Sequence, residues 1–242
     1  MVSGKEWWKV SELNKKYEIV FKDKKQETTD IFSFVFTKPD GFSWTPGQHG
    51  IFRFHDYDFE SDKGYRVFSF TSVPEDNILM FTSCTYDRPG SEFKEHLLRL
   101  REGDIMTVED PQGRFVVDDY DRPVCILARG IGITPVRAIL RKLDISGSNP
   151  TKMKIYYLDE GGEYAFEESL RHIDKKIPGL EIEFLKDLDT LQDRAEAFAR
   201  IIGNEGFYYT SGTAGINGML IEMLLALEID KTNIKADNFI GY

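Results

Sequence analysis

Two rhythms of apolar and polar positions divide the chain. Over residues 17–118, short runs recur that are apolar throughout or alternate with a period of two. They lie at Tyr17–Phe21, Ile31–Phe36, His49–Phe54, Tyr65–Phe70, Ile78–Thr85, Ile105–Glu109 and Phe115–Val117. Successive side chains on an extended backbone point to opposite faces, so these runs predict strands. Turn formers separate them at Pro39-Asp40-Gly41, Pro46-Gly47 and Pro111-Gln112-Gly113. Short strands at this spacing predict a closed or nearly closed antiparallel barrel. One stretch breaks the pattern: Phe93, Leu97 and Leu100 share a helical face, which predicts a short helix over Glu92–Leu100.

After Asp118-Asp119-Tyr120-Asp121 the rhythm changes. Strand-like runs at Val124–Leu127, Lys154–Leu158, Glu181–Leu185 and Phe207–Thr210 alternate with helical patterns at Pro135–Leu143, Phe166–Lys175, Thr190–Ile202 and Ile216–Glu228. Such alternation predicts an open parallel sheet covered by helices on both faces. The acidic tetrapeptide is the natural joint. The expected division is an extension at 1–16, a barrel at 17–118 and an α/β domain at 122–242.

Composition narrows the function classes. The chain of 242 residues carries 31 basic and 41 acidic side chains, a net charge of −10. That balance argues against nucleic acid and against an anionic membrane surface as partners. No run of 18 apolar residues exists to span a bilayer, and Met1–Lys9 lacks the apolar core of a secretion signal, so the cytoplasm is the expected location. Cys84 and Cys125, far apart and inside strand-like runs, read as buried free thiols. Two cysteines cannot supply the four ligands of an ordinary iron–sulfur cluster. His49, His55, His96 and His172 show no metal-ligand spacing.

Two stretches carry candidate chemistry. In Val124–Pro135, an apolar strand breaks into Gly130-Ile-Gly132 and then a helix. Glycines permit close backbone approach there, Thr134 is placed to cap the helix, and Pro135 suits its first turn. Free N–H groups at a helix N-terminus form a site for a pyrophosphate, although G-x-G without a third glycine is half of a dinucleotide fingerprint. In Arg66–Ser72, alternation puts Arg66 and Phe68 on one face, a cation beside an aromatic surface, with the hydroxyls of Ser69, Thr71 and Ser72 following. An edge strand with a surface arginine and a core phenylalanine has the same pattern.

The order of motifs is more specific than any one of them. Thr45-Pro46-Gly47-Gln48, Arg66-Val-Phe-Ser69, Pro89-Gly90-Ser91, Pro111-Gln-Gly-Arg-Phe115, Gly130-Ile-Gly-Ile-Thr-Pro135, Ser211-Gly212 and Asp237-Asn-Phe-Ile-Gly-Tyr242 follow one another along nearly the whole chain. This series resembles the ferredoxin–NADP reductase-like family of flavoprotein reductases, here without an iron–sulfur domain. The resemblance implies a flavin-binding six-stranded antiparallel β-barrel followed by a Rossmann-like nicotinamide-nucleotide domain. It also implies FAD and NADH, or NADPH, as cofactors. Arg66 would hold the flavin phosphates, Phe68 would lie against the isoalloxazine, and Ser69 would hydrogen-bond near its N5. Val67, Thr71, Ser72 and Ser83 belong to the same implied flavin-contact set. Gly90 and Ser91 would hold the pyrophosphate. Gly130, Gly132, Ile133, Thr134 and Pro135 would line the nicotinamide nucleotide, with Ser211 and Gly212 near the nicotinamide ring. Tyr242 would stack over the flavin. Ser69, Ser211 and Tyr242 are thus the implied catalytic positions.

The chain departs from the family pattern at four places. Phe68 stands where tyrosine is usual, Arg129 where the phosphate turn has its first glycine, and Ser211 where many members carry cysteine. The tail also lacks the glutamate found near the terminal aromatic in plastid members. For the coenzyme, Asp159-Glu160, Glu163 and Glu167-Glu168 follow the second strand of the α/β half, and Asp187 falls where relatives hold a 2′-phosphate. Carboxylates suit a free ribose hydroxyl, so NADH is favoured, with Lys186 pulling the other way. Acidic helix N-termini account for Glu167 and Glu168 equally well.

The expected activity is hydride transfer from NADH to FAD, then electron release to a separate acceptor. That acceptor could be a ferredoxin, a flavodoxin, an oxygenase or desaturase component, free flavin or a quinone. Lys15, Lys16, Lys22, Lys24 and Lys25 offer a dock or simply a solvated edge. The rival reading is a non-catalytic electron-transfer or regulatory subunit, with Arg129 and Ser211 as signs of a vestigial nucleotide pocket.

Overall fold

The computed structural model describes residues 15–55, 63–85 and 91–239. Its first half is an antiparallel sheet of β1 (Lys16–Gln26), β2 (Ile31–Thr37), β3 (His49–Phe54), β4 (Tyr65–Ser69), β5 (Ile78–Cys84) and β6 (Ile105–Glu109), in the order β4-β3-β6-β1-β2-β5. The sheet rolls until its outer strands meet. Phe70 and Phe81 form an antiparallel bridge, and Thr71 N–H donates to the Met80 carbonyl at 2.8 Å. At this seam Phe68 stacks on Phe81, with centroids 4.3 Å apart and planes 2° from parallel. Phe34, Phe36, Phe52 and Phe70 fill the interior, and α1 (Glu92–Arg99) closes one end with Phe93 and Leu97, all fully buried.

Two details differ from expectation. β1 runs on through Lys22–Gln26, which pairs with β2 although every side chain there is exposed. Backbone pairing extends the strand where no apolar pattern announces it. Phe115–Val117 forms no strand. Its Phe115 and Val117 side chains are buried, while the Val116 carbonyl accepts from Tyr209 Oη at 3.0 Å and Lys235 Nζ at 2.7 Å. These partners lie in the second half, so the segment ties the two halves together instead of joining the barrel.

The second half is a parallel sheet of β7 (Val124–Arg129), β8 (Met153–Leu158), β9 (Leu180–Leu185), β10 (Phe207–Thr213) and β11 (Ile234–Phe239), in the order β11-β10-β7-β8-β9. Helices α2 (Ile133–Ser146) and α3 (Glu167–Lys176) cover one face; α4 (Leu188–Ile202) and α5 (Ala214–Ala226) cover the other. The alternation of β7 shows why. Val124, Ile126 and Ala128 join the core beneath α2 and α3, whereas Cys125 and Leu127 pack with Leu191, Phe198, Leu220 and Leu224. Both thiols are buried and outside any disulfide, as expected, and Cys84 Sγ donates to Asp30 Oδ2 at 3.3 Å. None of the described helices is long and apolar enough to cross a membrane.

β11 is the strand that hydrophobic periodicity misses. It is an edge strand with alternating exposed positions, docked only on β10, so it contains few apolar residues. Asn217 clamps it in place, donating to the Asp237 carbonyl at 2.8 Å and to Asn238 Oδ1 at 2.7 Å.

The halves meet through α2 and the barrel. Arg137 donates to the Thr71 carbonyl, and Arg141 pairs with Asp76 at 2.8 Å. Thr29 gives both its N–H and its hydroxyl to Glu163 at 2.9 Å.

Candidate functional site at the domain junction

Two cavities flank Phe239, which lines both. The first, of about 360 Å³, opens between β4, α1 and β11 and is basic: Lys63, Arg66 and Lys94 line it. Lys94 is only 6% exposed and adds its charge to that of Lys63 and Arg66 along this wall. Arg66 Nη1 donates to the carbonyls of Lys63 and Tyr65 at 2.9 Å, and Nη2 lies 3.4 Å from Ser91 Oγ. Its guanidinium sits 4.9 Å from the Phe93 ring centroid. Ser91 caps α1 by accepting the Lys94 N–H. A fork of donors, a hydroxyl and the positive end of a helix therefore converge, which suits a diphosphate.

At the other end of this cavity, Ser69 Oγ donates to Asp237 Oδ2 at 3.2 Å. Burial raises the Asp237 carboxyl above its ordinary value, opposed by His49 and by the Ser69 hydrogen bond. Burial likewise lowers the His49 imidazole, opposed by the Asp237 charge.

The second cavity, of about 340 Å³, lies over the carboxyl ends of β7 and β10, the usual place for a ligand in an open parallel sheet. Arg129, Gly130, Ile131 and Gly212 line it, with Asp159 and Glu160 on the adjoining wall. Arg129 Nη2 pairs with Glu160 at 2.7 Å.

Several expected residues take other positions. Gly130 adopts φ +52°, and a β-carbon on Gly132 would strike the Ser211 carbonyl, so the second glycine serves the packing of the turn on β10. Ile133, Thr134 and Pro135 are buried beneath the turn. Thr134 does not cap α2; its hydroxyl donates to the Ile131 carbonyl at 3.0 Å. Gly130 and Ile131, both half-buried, form the lip instead.

The hydroxyls of Thr71, Ser72 and Ser83 are engaged by neighbouring strand residues and line neither of these cavities. Thr71 meets Thr82, Ser72 bonds Ile78 and Met80, and Ser83 donates to the Cys84 carbonyl. Ser211 is 1% exposed, its hydroxyl buried away from the cavities. Phe68 borders the basic cavity, but one face of its ring is already stacked on Phe81 because it also belongs to the barrel core. Val67, 49% exposed, presents the freer apolar surface. Asp187 lies outside both cavities and caps α4, accepting the Thr190 N–H at 2.7 Å. Gly90 and Tyr242 fall outside the described residues.

His49, Lys94, Asp237 and Phe239 were not singled out from the sequence as site residues. His49 sits next to the quoted Thr45-Pro-Gly-Gln48 motif and Lys94 three residues after Ser91, so motif neighbours were the available signal. Asp237 and Phe239 lie within the quoted terminal motif, and β11 is what brings them to the cavity.

The residues present fit a flavin dinucleotide. The buried Lys94 beside Arg66 and Ser91 answers a diphosphate, and Val67 and Phe239 answer a flat heterocycle.

No family model matches the chain. A flavohemoprotein of Vibrio cholerae serotype O1 is 25% identical over 232 residues, 91% of this chain. The chain spans 58% of that relative's length. A flavohemoprotein of Deinococcus radiodurans is 32% identical over 79 residues, 33% of this chain and 20% of the relative. Among solved structures, the flavohem-like FAD/NAD-binding domain of nitric oxide dioxygenase from Vibrio cholerae O1 aligns with a TM-score of 0.72 at 21% identity. That alignment covers 92% of this chain and 98% of the other. Ferredoxin–NADP+ reductase from Plasmodium falciparum gives a TM-score of 0.78 at 17% identity, over 93% and 96%.

Proposed function

This chain has the two-domain fold of the ferredoxin–NADP reductase-like reductases, and we propose that it works as one. The activity is that of a NAD(P)H-dependent, FAD-containing oxidoreductase, with NADH as the preferred donor. One observation carries the reading: the basic cavity and the cavity beneath the glycine turn adjoin across a single ring, Phe239. Two nucleotides held there would meet ring to ring.

Arg66, Lys94 and Ser91 hold the diphosphate of FAD, while Val67 and Phe239 flank its ring and Ser69 offers a hydroxyl. Gly130, Ile131 and Gly212 give backbone to the nicotinamide nucleotide. When bound, the flavin supplies the redox chemistry, taking hydride and later giving up electrons with loss of a proton. The protein contributes placement, exclusion of water and charge. No side chain acts as a nucleophile.

The acceptor is carried on another polypeptide segment or is a small molecule. The flavohemoprotein names of the relatives make a haem protein the first candidate to try.

The test is spectroscopic. Purified protein mixed with FAD should turn yellow and keep the colour through desalting, and NADH added without air should bleach it faster than NADPH does. Protein that stays colourless under saturating FAD overturns the proposal. An acceptor panel including a haem protein, a ferredoxin and ferricyanide then identifies the outlet.

A further inference from the structure

We propose that the cleft between the barrel and helices α2 and α3 is a further ligand site, which takes an aromatic carboxylate with Arg137 as its anchor. It is separate from the two cavities at Phe239 and does not depend on the flavin reading of them.

The cleft encloses about 1090 Å³, against about 360 and 340 Å³ for the cavities at Phe239. That is room for an organic molecule, not only for water or a simple ion. Residues of β1 and β5 line it on one side and residues of α2 and α3 on the other. An occupant therefore touches both halves of the chain.

Arg137 of α2 has hydrogen-bonding capacity to spare. Among the described residues its guanidinium makes one hydrogen bond, from Nη1 to the Thr71 carbonyl, and Nε is buried with no partner. A buried donor left unmade is costly, and an acceptor arriving with a ligand removes that cost. The Nε and Nη2 hydrogens lie along one edge of the guanidinium plane, which matches the two oxygens of a carboxylate.

The chain's own carboxyls do not take that edge. Asp76 and Asp144 are held by Arg141 at 2.8 and 3.0 Å. Glu27 is held by Lys25 and by the Ser33 hydroxyl, both at 2.9 Å, and Glu167 by Arg171 at 2.8 Å. Glu168 is exposed. The acids on these walls thus meet bases of their own or solvent.

Apolar surface beside the guanidinium decides what accompanies the carboxylate. The Phe166 ring centroid lies 5.1 Å from Arg137 Cζ. Phe166 stands at the start of α3 with φ +65°, a left-handed backbone that a bulky aromatic residue adopts only at a cost. Ile78 and Met80 add apolar surface from the barrel side. A flat ring can lie on this surface while its carboxylate takes the Arg137 edge.

Benzoate is the probe, titrated by calorimetry into the full chain without FAD. It should bind saturably, and benzamide, its uncharged isostere, should bind about ten-fold more weakly because a charge-assisted pair is lost. Inorganic phosphate, charged but without a ring, should also bind more weakly than benzoate. The Arg137 Nε–H signal in NMR spectra should shift as benzoate is added. None of these measurements needs a variant, so a folding defect cannot obscure them. Arg137→Gln should then lower benzoate affinity about ten-fold, whereas Arg66→Ala, in the basic cavity, should leave it unchanged. The site is overturned if benzoate does not saturate, or if benzamide or phosphate binds as tightly. Loss of benzoate binding in Arg66→Ala but not in Arg137→Gln overturns it too, by placing the probe in the other cavity.

Discussion

A β-carbon placed on Gly132 would lie 2.1 Å from the carbonyl oxygen of Ser211. The phosphate-type turn after β7 and the end of β10 are thus pressed together, backbone on backbone, with no room for a methyl group. Neither partner is the far end of a flexible side chain, so the clash cannot relax cheaply. Gly132→Ala should cost about 3 kcal/mol. Gly130→Ala, at φ +52° with nothing within 4 Å, should cost about 1 kcal/mol through its backbone alone. Denaturant unfolding followed by the fluorescence of the buried Trp44 distinguishes them. Equal costs would show that the close approach does not matter.

Arg66 and Lys94 should set FAD affinity. Removing the Arg66 fork deletes charge-assisted bonds worth about 2 kcal/mol, so Arg66→Ala should weaken binding roughly thirty-fold. Lys94→Ala should act in the same direction. Lys142, paired with Glu75 away from the cavity, is the control. Fluorescence quenching of FAD checks the order, and added salt should narrow the differences.

Coenzyme preference should not follow Asp187. Its carboxylate is used on the α4 cap, which holds its acidity below the ordinary value. Asp187→Ala should lower the stability of the protein slightly through loss of the cap and leave the NADH to NADPH ratio unchanged. Glu160→Gln, by releasing Arg129 to a 2′-phosphate, should move the ratio roughly five-fold toward NADPH. Equilibrium binding of NAD+ and NADP+ measures both.

Two carboxyls should give stability slopes of opposite sign. The Asp237 pKa is raised on folding, so the unfolded chain releases this proton first, near 3.8, and stability falls as pH rises from there toward the folded midpoint. Asp237→Asn should therefore be more stable than wild type at neutral pH, and no different below 3.8. The Asp144 pKa is lowered, chiefly by its hydrogen bond from Lys176. Its stabilisation is present above 3.8 and lost as pH falls through the folded midpoint, so Asp144→Asn should flatten the acid limb. Thermal melts across pH 2–8 test the two slopes together.

Much of the architecture was legible from local pattern. Period-two runs located β3 and β6 to the residue, and apolar runs located β7–β9 within two residues, because core burial writes itself into every position that faces it. Arg66, Ser69, Ser91, Gly130 and Gly132 were legible because a fork, a cap and a close approach each demand a particular residue type. Other assignments depended on direction, which alternation cannot give once a strand reaches its end. Thr71, Ser72 and Ser83 are engaged by their own strands, Ser211 is buried within β10, and Asp187 caps a helix.

The chain by itself determined two layered cores and the turn chemistry between them, since these follow from periodicity and backbone sterics over a few residues. Only the tertiary structure decided that Asp237 and Phe239 stand beside Ser69, 168 residues back from Asp237 along the chain. That meeting requires β11 to dock on β10 and the parallel sheet to lean against the barrel. It is a contact between an edge strand with little apolar signal and a strand in the other domain, and local pattern carries no record of such a contact.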